Sequence, residues 1–255
     1  MIEELKEPAA VIIKHNNPCG AATADSLLEC YKLAFASDPV SAYGGIVGLN
    51  RPVDETSAKA MSEPFLECIL APEFTPAALN LLTKKKNLRL IRYTPNQTEE
   101  SKQQIRTVRE GFLIQSQDDV VYDIRQSKVA TKRAPTAQEL KALQFAWTIT
   151  KHVHSNAIVL ARGQQLIGVG AGQMSRVDSA ELAIVKARKA NHQLAGSVAG
   201  SDAFFPFRDG VDVLAAAGVT AVAQPGGSIH DAEVIQAADE HNMAMIFTGI
   251  RHFKH

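Results

Sequence analysis

An internal echo constrains this chain more than any other feature of its sequence. Ile12-Ile13-Lys14-His15 recurs as Ile149-Thr150-Lys151-His152, and an Asn follows each, Asn17 and Asn156. Ser37-Asp38-Pro39 recurs as Ser201-Asp202-Ala203. Cys68-Ile69-Leu70-Ala71-Pro72 leads through a helical stretch to Asn87 and a strand, and Ala221-Val222-Ala223-Gln224-Pro225 leads in the same way to Asn242 and a strand. Three signals in one order predict a duplicated α/β unit. The 255 residues accommodate two small units or one large one. The split falls near 127–133, giving units at 1–130 and 131–255.

The local pattern has the same character. Residues 9–13 read as a buried strand, short, apolar and followed by turn residues. Helical spacing covers 26–36, and Asp54 is positioned to cap a helix after the strand 45–49. A strand at 66–70, a helix at 76–85 and a strand at 88–91 follow, then a polar loop at 94–101. Pro135 and Thr136 open a helix to about Trp147. Residues 157–161 and 166–169 form a strand pair, 175–190 a helix, and the segments 213–217, 219–223, 233–241 and 244–247 read helix, strand, helix, strand. The fold class is α/β.

Lys plus Arg and Asp plus Glu each number 27. A balanced charge argues against a nucleic-acid footprint, while leaving room for a local phosphate pocket. Cys19, Cys30 and Cys68 include no CxxC pair, which favours a reducing, cytoplasmic setting over a disulfide framework or zinc site. The acidic start, Met1 to Glu7, has neither signal- nor transit-peptide character. No apolar run approaches the ~18 residues of a membrane helix.

Several segments can carry chemistry. Lys14-His15-Asn16-Asn17-Pro18-Cys19-Gly20 ends a strand, and open α/β sheets bind ligands at strand carboxyl ends. It offers a cation, a proton carrier and amides; as a plain turn it is punctuated by Pro and Gly. Pro18-Cys19 matches half of a zinc-deaminase signature, but its partners are missing, so no metal site is expected. Gly168-Val169-Gly170-Ala171-Gly172 can cradle an anion at a helix start, though Gln173 breaks the dinucleotide fingerprint. The aromatic run Phe204-Phe205-Pro206-Phe207 suits either a flat ligand or a core. Lys84-Lys85-Lys86 reads as cations at a helix C-terminus. The tail 251–255 is either a solvated basic end or a segment tied down near a site.

Together these segments resemble the transformylase part of the bifunctional enzymes that carry AICAR (aminoimidazole carboxamide ribonucleotide) transformylase and IMP cyclohydrolase activities. The resemblance runs over essentially the whole chain. Its most specific pieces are 13–20, Ser155-Asn156-Ala157, 170–176, 201–209, Gln224-Pro225-Gly226-Gly227-Ser228 and 251–255.

That resemblance implies two cytidine-deaminase-like αβα units related by duplication, without zinc, in a homodimer whose active sites lie at the subunit interface. It implies formyl transfer from 10-formyltetrahydrofolate to the amine of AICAR, with Lys14, His15 and Asn156 as the catalytic set. The nucleotide side falls on Gly44, Glu67, Lys86, Phe204 and Arg251. The folate side falls on Arg176, Val177, Phe204, Asp209, Ser228 and Ile229. Within this mechanism His15 is the base, while Lys14 and the amide of Asn156 stabilise the oxyanion. The family's cyclohydrolase domain and the start of its transformylase domain are not in this sequence, and the alternative expectation is a nucleotide- or folate-binding fragment without turnover.

Overall fold

The computed structural model describes residues 1–95 and 103–255. The apolar run of strand β1 (Ala9–Lys14) turns back into β2 (Asn17–Thr23). Ser26 caps helix α1 (Leu27–Ser37), and Asp38 caps the short α2 (Pro39–Ala42). Strand β3 (Gly45–Leu49), helix α3 (Glu55–Ser62, capped by Asp54), β4 (Leu66–Ala71), α4 (Pro76–Leu82) and β5 (Arg89–Arg92) complete the first half. A hairpin of β6 (Gln103–Val108) and β7 (Gly111–Ser116) and the short β8 (Lys128–Val129) lead to α5 (Ala137–Thr150), which opens on a capping box between Thr136 and Glu139. The second half continues with β9 (Ile158–Arg162), β10 (Gln165–Gly170), α6 (Arg176–Lys189), β11 (Ser197–Ser201), α7 (Asp209–Ala216), β12 (Val219–Gln224), α8 (Asp231–Glu240) and β13 (Ala244–Phe247).

One mixed sheet runs through both halves in the order β5-β4-β3-β1-β2-β10-β9-β11-β12-β13-β8. Each half lays down an antiparallel hairpin (β1–β2, β9–β10), an antiparallel neighbour (β3, β11) and two further parallel strands (β4–β5, β12–β13). The third sequence echo falls on strands at matching places in the two halves of the sheet, β4 with β12 and β5 with β13. The first two echoes do not. Lys14-His15 ends a strand, whereas Lys151-His152 follows α5, and Ser37-Asp38 ends a helix, whereas Ser201-Asp202 ends β11.

Alternation along the strands sends side chains to two faces. Ala10 and Ile12 pack under α1, α3 and α4, while Ile158 and Leu160 pack under α6, α7 and α8. Ala9, Val11, Val159 and Ala161 point to the opposite face, which α5 covers. On that same face Ile46 and Ile91 remain 46% and 47% exposed.

The sequence pattern left β2, β11 and the β6–β7 hairpin unread. The expected loop at 94–101 falls mostly outside the described residues. Helix α4 stops at Leu82, where the hydroxyl of Thr83 donates to the carbonyl of Leu79. Lys84, Lys85 and Lys86 therefore lie beyond the helix, not on its last turn.

Candidate functional site

Strand directions gather the expected site residues along one edge of the sheet. The β1–β2 turn meets there with the amino ends of β3, β4 and β5, the amino end of β9, and the carboxyl ends of β10 to β13. The two halves thus contribute opposite ends of their parallel strands. The rule that ligands sit at carboxyl ends describes only the second half.

The β1–β2 connection is a two-residue turn between the paired Lys14 and Asn17. His15 and Asn16 both adopt the left-handed region, with φ of 48° and 63°, the geometry that matches a hairpin's twist. This presents the exposed His15 at the tip. The Lys14 ammonium donates to the carbonyls of Tyr43 at 2.6 Å and Gly44 at 3.1 Å. An ammonium has three protons, so one remains for a ligand.

Asn156 lies on the approach to β9. Its Nδ2 donates to the carbonyls of Gln173 at 2.9 Å and Met174 at 3.1 Å, and its Oδ1 accepts from Arg176 at 2.7 Å. Both amide protons are therefore already donated, so the expected donation from this amide to an oxyanion has no free proton to use. Arg176 and Asp202 form an ion pair at 2.5 Å and are 6% and 0% exposed. Arg176, expected on the folate side, thus spends its guanidinium on protein groups.

The N–H of His154 donates to the side-chain oxygen of Asn17 at 3.0 Å, joining the two halves of the site. It brings the Lys14–His15 turn up against the loop that carries Asn156.

The residues expected on the nucleotide side fall into two groups. Gly44, with φ of 67°, sits so close to Lys14 that a Cβ there would lie 3.0 Å from Nζ. Beyond it a cleft of about 390 Å³ is lined by Phe65, Glu67, Lys86 and Arg89, with Glu67 paired to Arg89 at 2.8 Å. Phe204 and Arg251 belong to the other group. Phe204 is half-buried after β11, and Arg251 is exposed with its guanidinium 4.4 Å above the Phe253 ring. Six strand spacings separate β4 from β11, roughly 30 Å along the sheet.

Of the residues expected on the folate side, Val177 is the second residue of α6, Asp209 starts α7 and accepts from the N–H of Gly210, and Ser228 and the 95% exposed Ile229 follow β12. The aromatic run divides: Phe205 is core, while Phe207 is exposed and packs on His230 at 5.2 Å. The tail is tied down. The carbonyl of Lys254 accepts from Ser155, the N–H of His252 donates to the carbonyl of Asp202, and Lys254 Nζ reaches the carbonyl of His152.

Packing accounts for two further motif residues. Gly168 is needed for helix packing, because a Cβ there would lie 2.3 Å from the carbonyl oxygen of Ala183 in α6. Burial pushes the Cys19 thiol up to about 12, and its Sγ donates to the carbonyl of Ile12. A cavity of about 540 Å³ runs along α5 past Leu140, Gln144 and Trp147, apart from the Lys14–Asn156 junction. The sequence reading missed Asp202 as a site residue. A carboxylate following the small-residue strand Ser197-Val198-Ala199-Gly200-Ser201 was the available signal.

These features define an α/β protein that assembles cations, an imidazole and fixed amides along one edge of a continuous sheet. The chain belongs to the AICARFT/IMPCHase bienzyme family, whose model matches residues 1–186. It is 51% identical over its whole length to the bifunctional purine biosynthesis protein PurH of Halalkalibacterium halodurans, covering 49% of that protein. Identity to the proteins of the same name is 52% in Chlorobium phaeobacteroides and 51% in Magnetococcus marinus, covering 49% and 50% of them. The chain spans about half the length of these curated relatives.

Proposed function

We propose that this chain transfers a formyl group from 10-formyltetrahydrofolate to the amine of AICAR, a step of purine biosynthesis. The observation that carries this reading, beyond family membership, is the Asn17–His154 bond, which brings Lys14 and His15 up against the Asn156 loop. The amine nitrogen attacks the formyl carbon, and its proton passes to the exposed imidazole of His15. The remaining ammonium proton of Lys14 meets the developing oxyanion. Collapse breaks the bond from the formyl carbon to the folate nitrogen, which takes up a proton. Folate is the co-substrate, and the chemistry needs no metal.

The roughly 30 Å between the Lys86 cleft and Phe204 exceeds what one mononucleotide spans, so a nucleotide that touches both groups must draw them from different chains. This supports a homodimer with active sites at the subunit interface. Surface apolarity agrees: Ile105, Phe112, Leu113 and Ile114 of the β6–β7 hairpin are each at least 60% exposed, and Ile46 and Ile91 lie open on the sheet. The repeated strand order and senses of β1–β5 and β9–β13 support two deaminase-like units related by duplication, with β8 (Lys128–Val129), from the end of 1–130, pairing with β13 of the second.

The direct test is turnover. Mixing the chain with AICAR and 10-formyltetrahydrofolate should release tetrahydrofolate and formyl-AICAR in equal amounts. Tight binding of both ligands without product would overturn the reading.

A further inference from the structure

The carboxylate of Asp202, shut off from solvent, brackets Asn156 from both sides. It accepts from the hydroxyl of Ser155 on one side and from the N–H of Ala157 at 3.0 Å on the other. It also holds one arm of the Arg176 guanidinium at 2.5 Å, while the other arm donates to Asn156 Oδ1 at 2.7 Å. The opposite amide orientation would set NH₂ against a guanidinium N–H and the amide oxygen against two carbonyls. The network therefore admits one orientation. With both N–H groups donated, what Asn156 still offers is a lone pair on Oδ1.

We infer that Arg176 and Asp202 are positioning residues that hold Asn156 as a hydrogen-bond acceptor, so that the ligand group meeting it is an N–H donor. Resting on the formyl-transfer reading, this assigns Asn156 to the amine or carboxamide N–H of AICAR and leaves the oxyanion to Lys14. An acceptor beside the amine orients its lone pair toward the formyl carbon without taking its proton. Asp202 neutralises the guanidinium, so Arg176 offers little charge to folate.

Kinetics of four variants separate this from the alternatives. Arg176→Lys keeps a cation for Asp202 but loses the fork that reaches Asn156. It should lower kcat by about 100-fold, the cost of a small misplacement, with KM for the folate nearly unchanged. Asp202→Asn should give the same pattern although it touches no ligand. Adding Arg176→Lys to Asn156→Ala should cost nothing further.

A raised folate KM with kcat retained in Arg176→Lys would make Arg176 a folate contact and overturn the inference. So would multiplicative losses in the double variant. Proton exchange at the Asn156 side-chain amide, read by NMR in the unmodified chain, decides the orientation even if variants misfold. Protection well beyond that of the exposed Asn80 is expected, and equal exchange would overturn the inference. Absence of turnover in the unmodified chain would sink the formyl-transfer reading alone and leave the amide measurement to judge this one.

Discussion

Asn17 and His154 stand 137 residues apart, yet the side-chain oxygen of the first accepts the backbone N–H of the second at 3.0 Å. The bond is part-buried, so removing the acceptor leaves an N–H without its partner. Asn17→Ala should lower the unfolding free energy by about 1–3 kcal/mol and reduce turnover by more than the loss of stability explains. Asn17→Asp keeps the acceptor and should stay near the unmodified protein in both. Urea unfolding and steady-state rates on the three chains check this. Equal turnover in all three would mean that the bond does not align the site.

His15 occupies a left-handed position, with φ of 48°, that Asn tolerates well and Ala does not. His15→Asn therefore removes the proton carrier while keeping the turn. It should lower kcat by ~10²–10⁴-fold, with the AICAR dissociation constant changed by less than about tenfold. Retention of more than about a tenth of kcat would take the base role from His15.

Acid stability should depend on Glu139. Burial alone would raise its pKa, but the Arg133 guanidinium and the capping N–H of Thr136 hold it at about 2, below its ordinary 4.5. A carboxylate depressed in the folded state contributes stability that is complete above its unfolded pKa. That contribution fades as pH falls from 4.5 toward 2. Its side chain is 13% exposed and that of Arg133 26%, so screening is incomplete. About 2 kcal/mol should be lost across this window. Glu139→Gln should be destabilised at pH 7 and converge with the unmodified chain near pH 2. A constant difference between the two unfolding curves at every pH would show that the pairing contributes nothing.

Much of this fold was legible in the sequence because apolar periodicity and caps act locally. Asp54 and Thr136 cap the helices expected after them, and β4–α4–β5 echoes β12–α8–β13 as read. What was illegible depends on contacts distant in sequence. Pro18 and Gly20 look like turn punctuation, yet they lie inside β2. Gly20 is required there because a Cβ would come 2.0 Å from the carbonyl oxygen of Ala34 in α1. Asp202 reads as one more polar residue until the fold surrounds it with Ser155, Ala157 and Arg176. The paired motifs Lys14-His15 and Lys151-His152 share letters but not backbone, since one runs from a strand end into a hairpin turn and the other follows a helix.

The division of the nucleotide-side residues carries the last prediction. Lys86 lies in the cleft with Glu67 beside β4 and β5, whereas Arg251 follows β13 and its neighbour His252 bonds the carbonyl of Asp202 at the end of β11. If one nucleotide uses both, a chain lacking Lys86 and a chain lacking Arg251 fail in different halves of a shared site. Lys86→Ala and Arg251→Ala should each weaken AICAR binding by roughly 10- to 100-fold through a lost charge-assisted bond, and should spare the phosphate-free nucleoside. Random pairing of the two variants in a two-fold dimer makes half of the dimers mixed. Each mixed dimer holds one site with both defects and one with neither. Co-expression should therefore restore about a quarter of the unmodified activity at limiting AICAR. Arg251→Ala mixed with the double variant supplies the control, because no pairing of those chains restores Arg251. Failure of the first mixture to exceed the sum of its parents, with mixed dimers confirmed by mass, would require each nucleotide to be bound within one chain.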